Sequence, residues 1–186
     1  MFLRNFDNYI TRCFTGRMAA DASLAEGHLG LKDCLGQMIT GNLRDDSVRF
    51  PFQIVYNGAN DYISSSTTND TYVHWSSDTS EPTYDDYTMT LPTTSSPVSA
   101  SRTSSYDSET GLWTVTIKQI YVANADLTVG TVALYTTPYY YNPNKQVMIY
   151  KEKLAEPVFV PAESSFSVTI NITFDGNFSA NASVSA

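Results

Sequence analysis

The chain has 186 residues, enough to bury a core yet short enough for one main domain, and no run in it is apolar for the length that crosses a membrane. Only 16% of its residues are charged, with a net charge of -8 and a pI near 4.5; that balance works against direct nucleic-acid binding, which is driven by Lys and Arg releasing phosphate counterions. Aromatics at 13%, with 13 Tyr, and Ser and Thr crowding the middle mark a β-rich composition with an uncharged, hydroxyl-coated surface.

The start, MFLRNFDNYITRCF, breaks its apolar residues with Arg4, Asp7 and Arg12. It therefore lacks the uninterrupted apolar stretch of a secretion signal, and synthesis and folding in a cytoplasm are expected. Phe2, Phe6, Tyr9, Ile10, Cys13 and Phe14 recur at three- and four-residue spacing, which predicts a short amphipathic helix over residues 2–14, ended by Gly16. So short a helix is marginal alone, so its stripe of Phe2, Phe6, Ile10 and Phe14 is expected to dock on another subunit; the competing arrangement folds it back on its own domain. A glycine-punctuated segment follows, in which LKDCLGQMI reads as a hairpin turning at Leu35-Gly36. Residues 1–45 thus form an N-terminal arm. Cys13 and Cys34 make no C-x-x-C pair and read as free thiols.

From residue 46 to 175 short strand-like runs arrive in turn: VRFPFQIV, TYVHW, DYTMTL, PVSASRT, LWTVTIKQIYVA, TVGTVALYT, KQVMIYKEKL and SFSVTINITF. Turn-forming clusters such as NGAND, SSDTSEP, DSETG, NADL and YNPN separate them. This rhythm predicts an all-β, antiparallel β-sandwich or jelly-roll-like domain. In the last run Phe166, Val168, Ile170, Ile172 and Phe174 alternate with Ser167, Thr169, Asn171 and Thr173, giving one dry and one wet face. The expected core comprises Trp113, Val115, Ile117, Leu134, Phe166, Val168, Ile170 and Ile172. In LWTVTIKQIYVA the apolar set changes face between Ile117 and Ile120, so a β-bulge is expected near Lys118 or Gln119. Residues 176–186, small and polar, read as a flexible, exposed tail.

Chemistry is thin along the chain. His28 lies in the arm and His74 opposite Trp75 on its strand; neither sits in a recognisable Ser or Cys nucleophile pattern, and phosphate-cradling glycine loops are missing. Asp78, Glu81, Asp85 and Asp86 match no EF-hand spacing and read as a solvated turn, with calcium or a glycosidase carboxylate pair as weaker alternatives. Asn-x-Ser/Thr triplets at Asn69, Asn171, Asn177 and Asn181 read as chance in a chain this rich in Asn, Ser and Thr. No catalytic residue, cofactor or metal is assigned. Tyr139, Tyr140 and Tyr141, between Pro138 and Pro143, form an aromatic loop suited to partner or sugar contact, or to filling the core edge.

The order of motifs resembles a known group. YVHWSSDTSEPTYDDYTMTLP, with Thr79, Pro82, Asp86 and Tyr87, leads to LWTVTIKQIYVAN and then to Leu134-Tyr135. Lys151 and Lys153 follow, then the turn of Pro157, Val158, Val160 and Pro161, and the closing strand with Ile172 and Phe174. Together with MFLRNFDNYI and LKDCLGQ these are similar to structural proteins from the virions of tailed bacteriophages, of the β-sandwich capsid or tail accessory type. The likeness is loose over most of the chain and best over residues 110–175. It implies a non-catalytic virion subunit of the capsid surface, collar or tail, made in a host bacterial cytoplasm, whose partners are copies of itself and other virion proteins. The alternative is a carbohydrate-binding or adhesin-like module whose partner is a host-surface glycan; an enzyme is the third class.

Overall fold

The computed structural model describes residues 1–15, 31–37, 71–136, 146–174 and 178–186. Its elements are α1 (Arg4–Thr15), β1 (Thr71–Ser76), β2 (Ser95–Asp107), β3 (Leu112–Ala123), β4 (Leu127–Thr136), β5 (Val147–Val160), β6 (Ser165–Phe174) and β7 (Phe178–Ser185). Two antiparallel sheets pack face to face, one ordered β1-β4-β5 and the other β2-β3-β6-β7. The fold is the expected all-β sandwich with a short N-terminal helix.

Alternation explains most of it. In β6, Phe166, Val168, Ile170 and Ile172 are buried, and they meet Val115 and Ile117 of β3 on the same inner face. Opposite them lie Val73 and Trp75 of β1 and Val132 and Leu134 of β4. An aromatic cluster ties the two sheets: Phe166 stacks on Tyr121 at 5.3 Å and takes Trp75 edge-on at 5.7 Å, while the Tyr121 hydroxyl donates to the Val73 carbonyl. Strand β4 is central and covered on both faces, so TVGTVALYT need not alternate. Its Ala133 and Tyr135 point away from the sandwich into a second cluster with Leu3, Met89 and Met148.

Some expectations are corrected. Strand β3 runs in unbroken register against β6, without a bulge at Lys118 or Gln119; Gln119 itself takes the inward position and satisfies its amide on the Ser99 and Ile120 carbonyls. The irregularity sits on the partner strand, where Val98 is the extra residue between Pro97 and Ser99. Trp113, expected in the core, is 40% exposed; it sits at the end of its sheet, paired with Phe174, the last residue of β6. The segment DYTMTL is not a strand; only Met89 of it is buried. The tail is no flexible extension either: Phe178–Ser185 forms β7, paired residue by residue with β6. Its Ala180, Ala182 and Val184 pack against the core, small enough to lie flat at the sheet edge, while Ser179, Asn181, Ser183 and Ser185 face out. The run VRFPFQIV lies outside the described residues.

The turn from β5 to β6 carries the one non-glycine with positive φ among the described residues, Glu163 at 62°. A side chain in that region costs about 1–2 kcal/mol that glycine avoids, partly offset by glycine's freer unfolded state. Glu163→Gly is expected to raise stability by about 0.5–1 kcal/mol, read as a higher urea midpoint, with Glu163→Ala showing no such gain.

Candidate functional site

The N-terminal arm turns inward. Phe6 and Tyr9 are buried in the main core, with Phe2 and Ile10 packed against it. Phe2 stacks on Phe6 at 4.1 Å and meets Tyr150 of β5 edge-on at 5.3 Å. The stripe expected to dock on another subunit is thus covered by its own sheet, which supplies the rigid apolar surface a marginal helix needs; the Phe14 side chain lies outside the described residues. The backbone before α1 also adds to β5, with the Leu3 amide donating to the Ile149 carbonyl and the Lys151 amide to the Met1 carbonyl, each at 3.1 Å. Asn5, buried and unremarked in the sequence, holds the arm together. Its amide donates to the Lys32 and Met148 carbonyls while its oxygen accepts from the Lys32 amide at 2.9 Å. The turn at Leu35-Gly36 forms as expected, closed by Gly36 donating to the Asp33 carbonyl, with Gly36 at φ 78°. Cys34 is a free thiol.

The acidic run is a clasp more than a solvated turn. Asp86 accepts from the buried Lys151 ammonium at 2.9 Å, with Asp78 3.9 Å from the same nitrogen. Lys153 pairs with Glu81 at 2.5 Å and Arg4 of α1 with Asp85. Thr131 donates its hydroxyl to the Asp78 carbonyl at 2.6 Å, and a Cβ on Gly130 would meet that carbonyl oxygen at 2.6 Å, so the segment lies flush on β4. Burial pushes the Asp86 carboxyl up, but bonds from Thr83 and Lys151 outweigh it and its pKa falls below the ordinary carboxylate value. These carboxylates are spent on cations. Among the described residues no group of three His, Cys, Asp or Glu is placed to hold a metal.

The outer face of the four-stranded sheet is different in kind. Because Val115, Ile117, Gln119 and Tyr121 point inward, the alternate residues point to solvent. In register across β2, β3, β6 and β7 they form the rows Ser105, Thr114, Thr173 and Ser179; Thr103, Thr116, Asn171 and Asn181; Ser101, Lys118, Thr169 and Ser183; and Ser99, Ile120, Ser167 and Ser185. Only Lys118 in those rows is charged. Neighbours bond across the strands, Thr116 to Asn171 at 2.7 Å and Ser167 to Ser185 at 2.9 Å. At the end of the same sheet, on its inner side, Tyr106 and Trp113 lie ring against ring at 5.0 Å and stay exposed.

A cleft of about 330 Å³ opens beside β1, lined by Tyr72, His74, Trp75, Leu91, Gln119 and Tyr121 among others. His74 meets Tyr135 edge-on at 5.1 Å, and its Nε2 is buried without a hydrogen-bond partner. Burial alone lowers its pKa from the ordinary 6.5 to about 4. A base depressed in the folded state contributes stability that is complete above 6.5 and is lost as pH falls toward 4, because the unfolded chain takes up the proton first. Between pH 7 and pH 5 the urea-unfolding free energy is expected to fall by about 2 kcal/mol, and a His74→Phe variant should show little of this slope.

Tyr139, Tyr140, Tyr141 and His28 lie outside the described residues. No helix among the described residues is long and apolar enough to cross a membrane. No family model, no curated protein and no solved structure matches the chain.

Proposed function

We propose that this protein is a non-catalytic structural subunit of a tailed-bacteriophage virion, placed at the capsid surface, collar or tail and contacting copies of itself and other virion proteins. The observation that carries the reading is the outer face of the β2-β3-β6-β7 sheet, with rows made mostly of Ser, Thr and Asn. In a chain of net charge -8, rows whose one charged side chain is Lys118 can meet a neighbouring subunit with little like-charge repulsion. Its hydroxyl and amide groups both donate and accept, so they can pair across a contact with little left unsatisfied. The exposed Tyr106 and Trp113 at the sheet end offer rigid aromatic anchors of the kind that dominate interface energy. The resemblance of the sequence motifs to virion proteins supplies the kind of assembly.

Mass spectrometry of gradient-purified virions from the source tests this. The chain is expected in the particle fraction at a fixed ratio to the major capsid protein. Its recovery only from the particle-free supernatant would sink the proposal. A Thr116→Arg and Asn171→Arg double variant, charged on the outer face and still folded, is expected to be depleted from particles.

A further inference from the structure

The outer edge of β2 carries an inference that stands whether or not the chain enters a virion. Strand β2 has 13 residues and forms one rim of its sheet, with β3 as its only neighbour among the described residues. None of its residues is buried, and only Ser95, Arg102 and Ser104 are even half-buried, so the strand is open to solvent along its length. The other rims are shorter or engaged: β1 has 6 residues, β7 has 8, and the edge of β5 takes the N-terminal backbone at Ile149 and Lys151. An open edge presents unpaired amides and carbonyls, and proteins blunt such edges with Pro, Lys, bulges or inward-pointing charges. In β2, Pro97 and the bulged Val98 both sit near the beginning. From Ser99 to Asp107 the strand pairs with β3 in unbroken register and contains no Pro and no Lys; Arg102, paired with Ile117, is its one charge on the inner face.

Such an edge accepts another extended strand, and the partner must match it in length and in side chains. A second copy of β2 does so. Turned antiparallel about a two-fold axis at Thr103, the midpoint of Ser99–Asp107, each residue meets one that points to the same face, and the outward amides and carbonyls of the two copies face each other. On the outer face Ser101 then meets Ser105 and Ser99 meets Asp107, each contact occurring twice. On the inner face Arg102 meets Ser104 and Tyr106 meets Ala100. Tyr106, 53% exposed and beside Trp113 at 5.0 Å, thereby gains a small neighbour on its open side. The two Arg102 side chains become diagonal neighbours, which their length lets them hold apart. Any other axis shortens the ladder or draws in Pro97 and the bulge. We propose that two copies of this chain join edge to edge through β2, in the register centred on Thr103, so that their two four-stranded sheets become one.

Analytical ultracentrifugation of the intact chain tests this, with circular dichroism to show that each variant is folded. A dimer of twice the 20.6 kDa chain mass is expected, dissociating in the micromolar range of a small interface. Ser101→Glu with Ser105→Glu sets carboxylates opposite each other at both Ser101–Ser105 contacts and is expected to weaken the dimer about tenfold at low salt. Ser101→Glu with Ser105→Lys sets a carboxylate opposite an ammonium at the same two places, and is expected to restore or tighten it. Both positions are exposed, so folding survives either pair of changes. Three results overturn the proposal. One is a monomer at about 100 µM chain. Another is a series of species that grows past the dimer with concentration, which pairing of β2 with β7 of the next copy would give. The third is a dimer of equal strength in the two double variants, which would put the contact in another register or on another surface.

Discussion

Ile170→Asp is expected to abolish folding. Ile170 is fully buried, paired in register between Ile117 of β3 and Ala182 of β7 at the centre of the inner face. Truncating a buried isoleucine costs about 2–5 kcal/mol. The carboxyl adds more, because burial disfavours its charged form, and a pKa raised by 3–5 units corresponds to about 4–7 kcal/mol at neutral pH. Together these approach or exceed the whole stability of a typical domain, about 5–15 kcal/mol. The variant should accumulate as insoluble or protease-sensitive chain with no cooperative melting transition, whereas Ile170→Val should cost about 1 kcal/mol and stay soluble. A soluble Ile170→Asp protein with an unchanged thermal midpoint would show that the inner face is wrongly assigned.

Asp86→Ala is expected to cost about 3 kcal/mol. It leaves the Lys151 ammonium, 5% exposed at the residue level, without its carboxylate at 2.9 Å, and Asp78 at 3.9 Å replaces it only in part. Breaking one side of a buried pair is costly because the remaining charge stays desolvated, typically by about 3–5 kcal/mol. Adding Lys151→Met to Asp86→Ala removes the stranded charge, and the double variant should recover most of the loss. Urea titrations of the wild type and the three variants measure the cycle; a single-variant loss equal to the double-variant loss would show that the pair is not coupled. The pair also sets an acid limit. With the Asp86 pKa depressed in the fold, its contribution is complete above the ordinary carboxylate pKa and is lost as pH falls through the folded value. That window lies below the one set by His74, so the two can be separated by pH.

Local pattern carried a good deal of this molecule. The alternation in SFSVTINITF placed β6 and its buried face, and LWTVTIKQIYVA and TYVHW gave the positions of β3 and β1. The three- and four-residue spacing of Phe2, Phe6 and Ile10 found α1. These features are legible because a strand repeats every two residues and a helix every 3.6, so each announces itself within its own segment.

Where each face goes is a different kind of fact. Whether the α1 stripe meets a neighbour or its own sheet depended on β5 lying ready beside it, and Phe6 and Tyr9 entered the core. Gln119 reads as a polar interruption, yet it points inward because carbonyls of β2 and β3 satisfy its amide; the bulge that its polarity suggested moved to Val98. FSANASVS is too small and polar to look like a strand alone, and becomes one because the open edge of β6 offers a complete ladder of hydrogen bonds. The carboxylates of the acidic run found Arg4, Lys151 and Lys153 across 65 to 81 positions of chain, and the cleft at His74 gathers β1, β3 and the Leu91–Pro92 step. The sequence by itself therefore determined which segments are strands and which of their faces are dry. Partners, polar satisfaction and the site were decided only by tertiary structure, because each depends on groups brought together by folding from segments that carry no trace of one another.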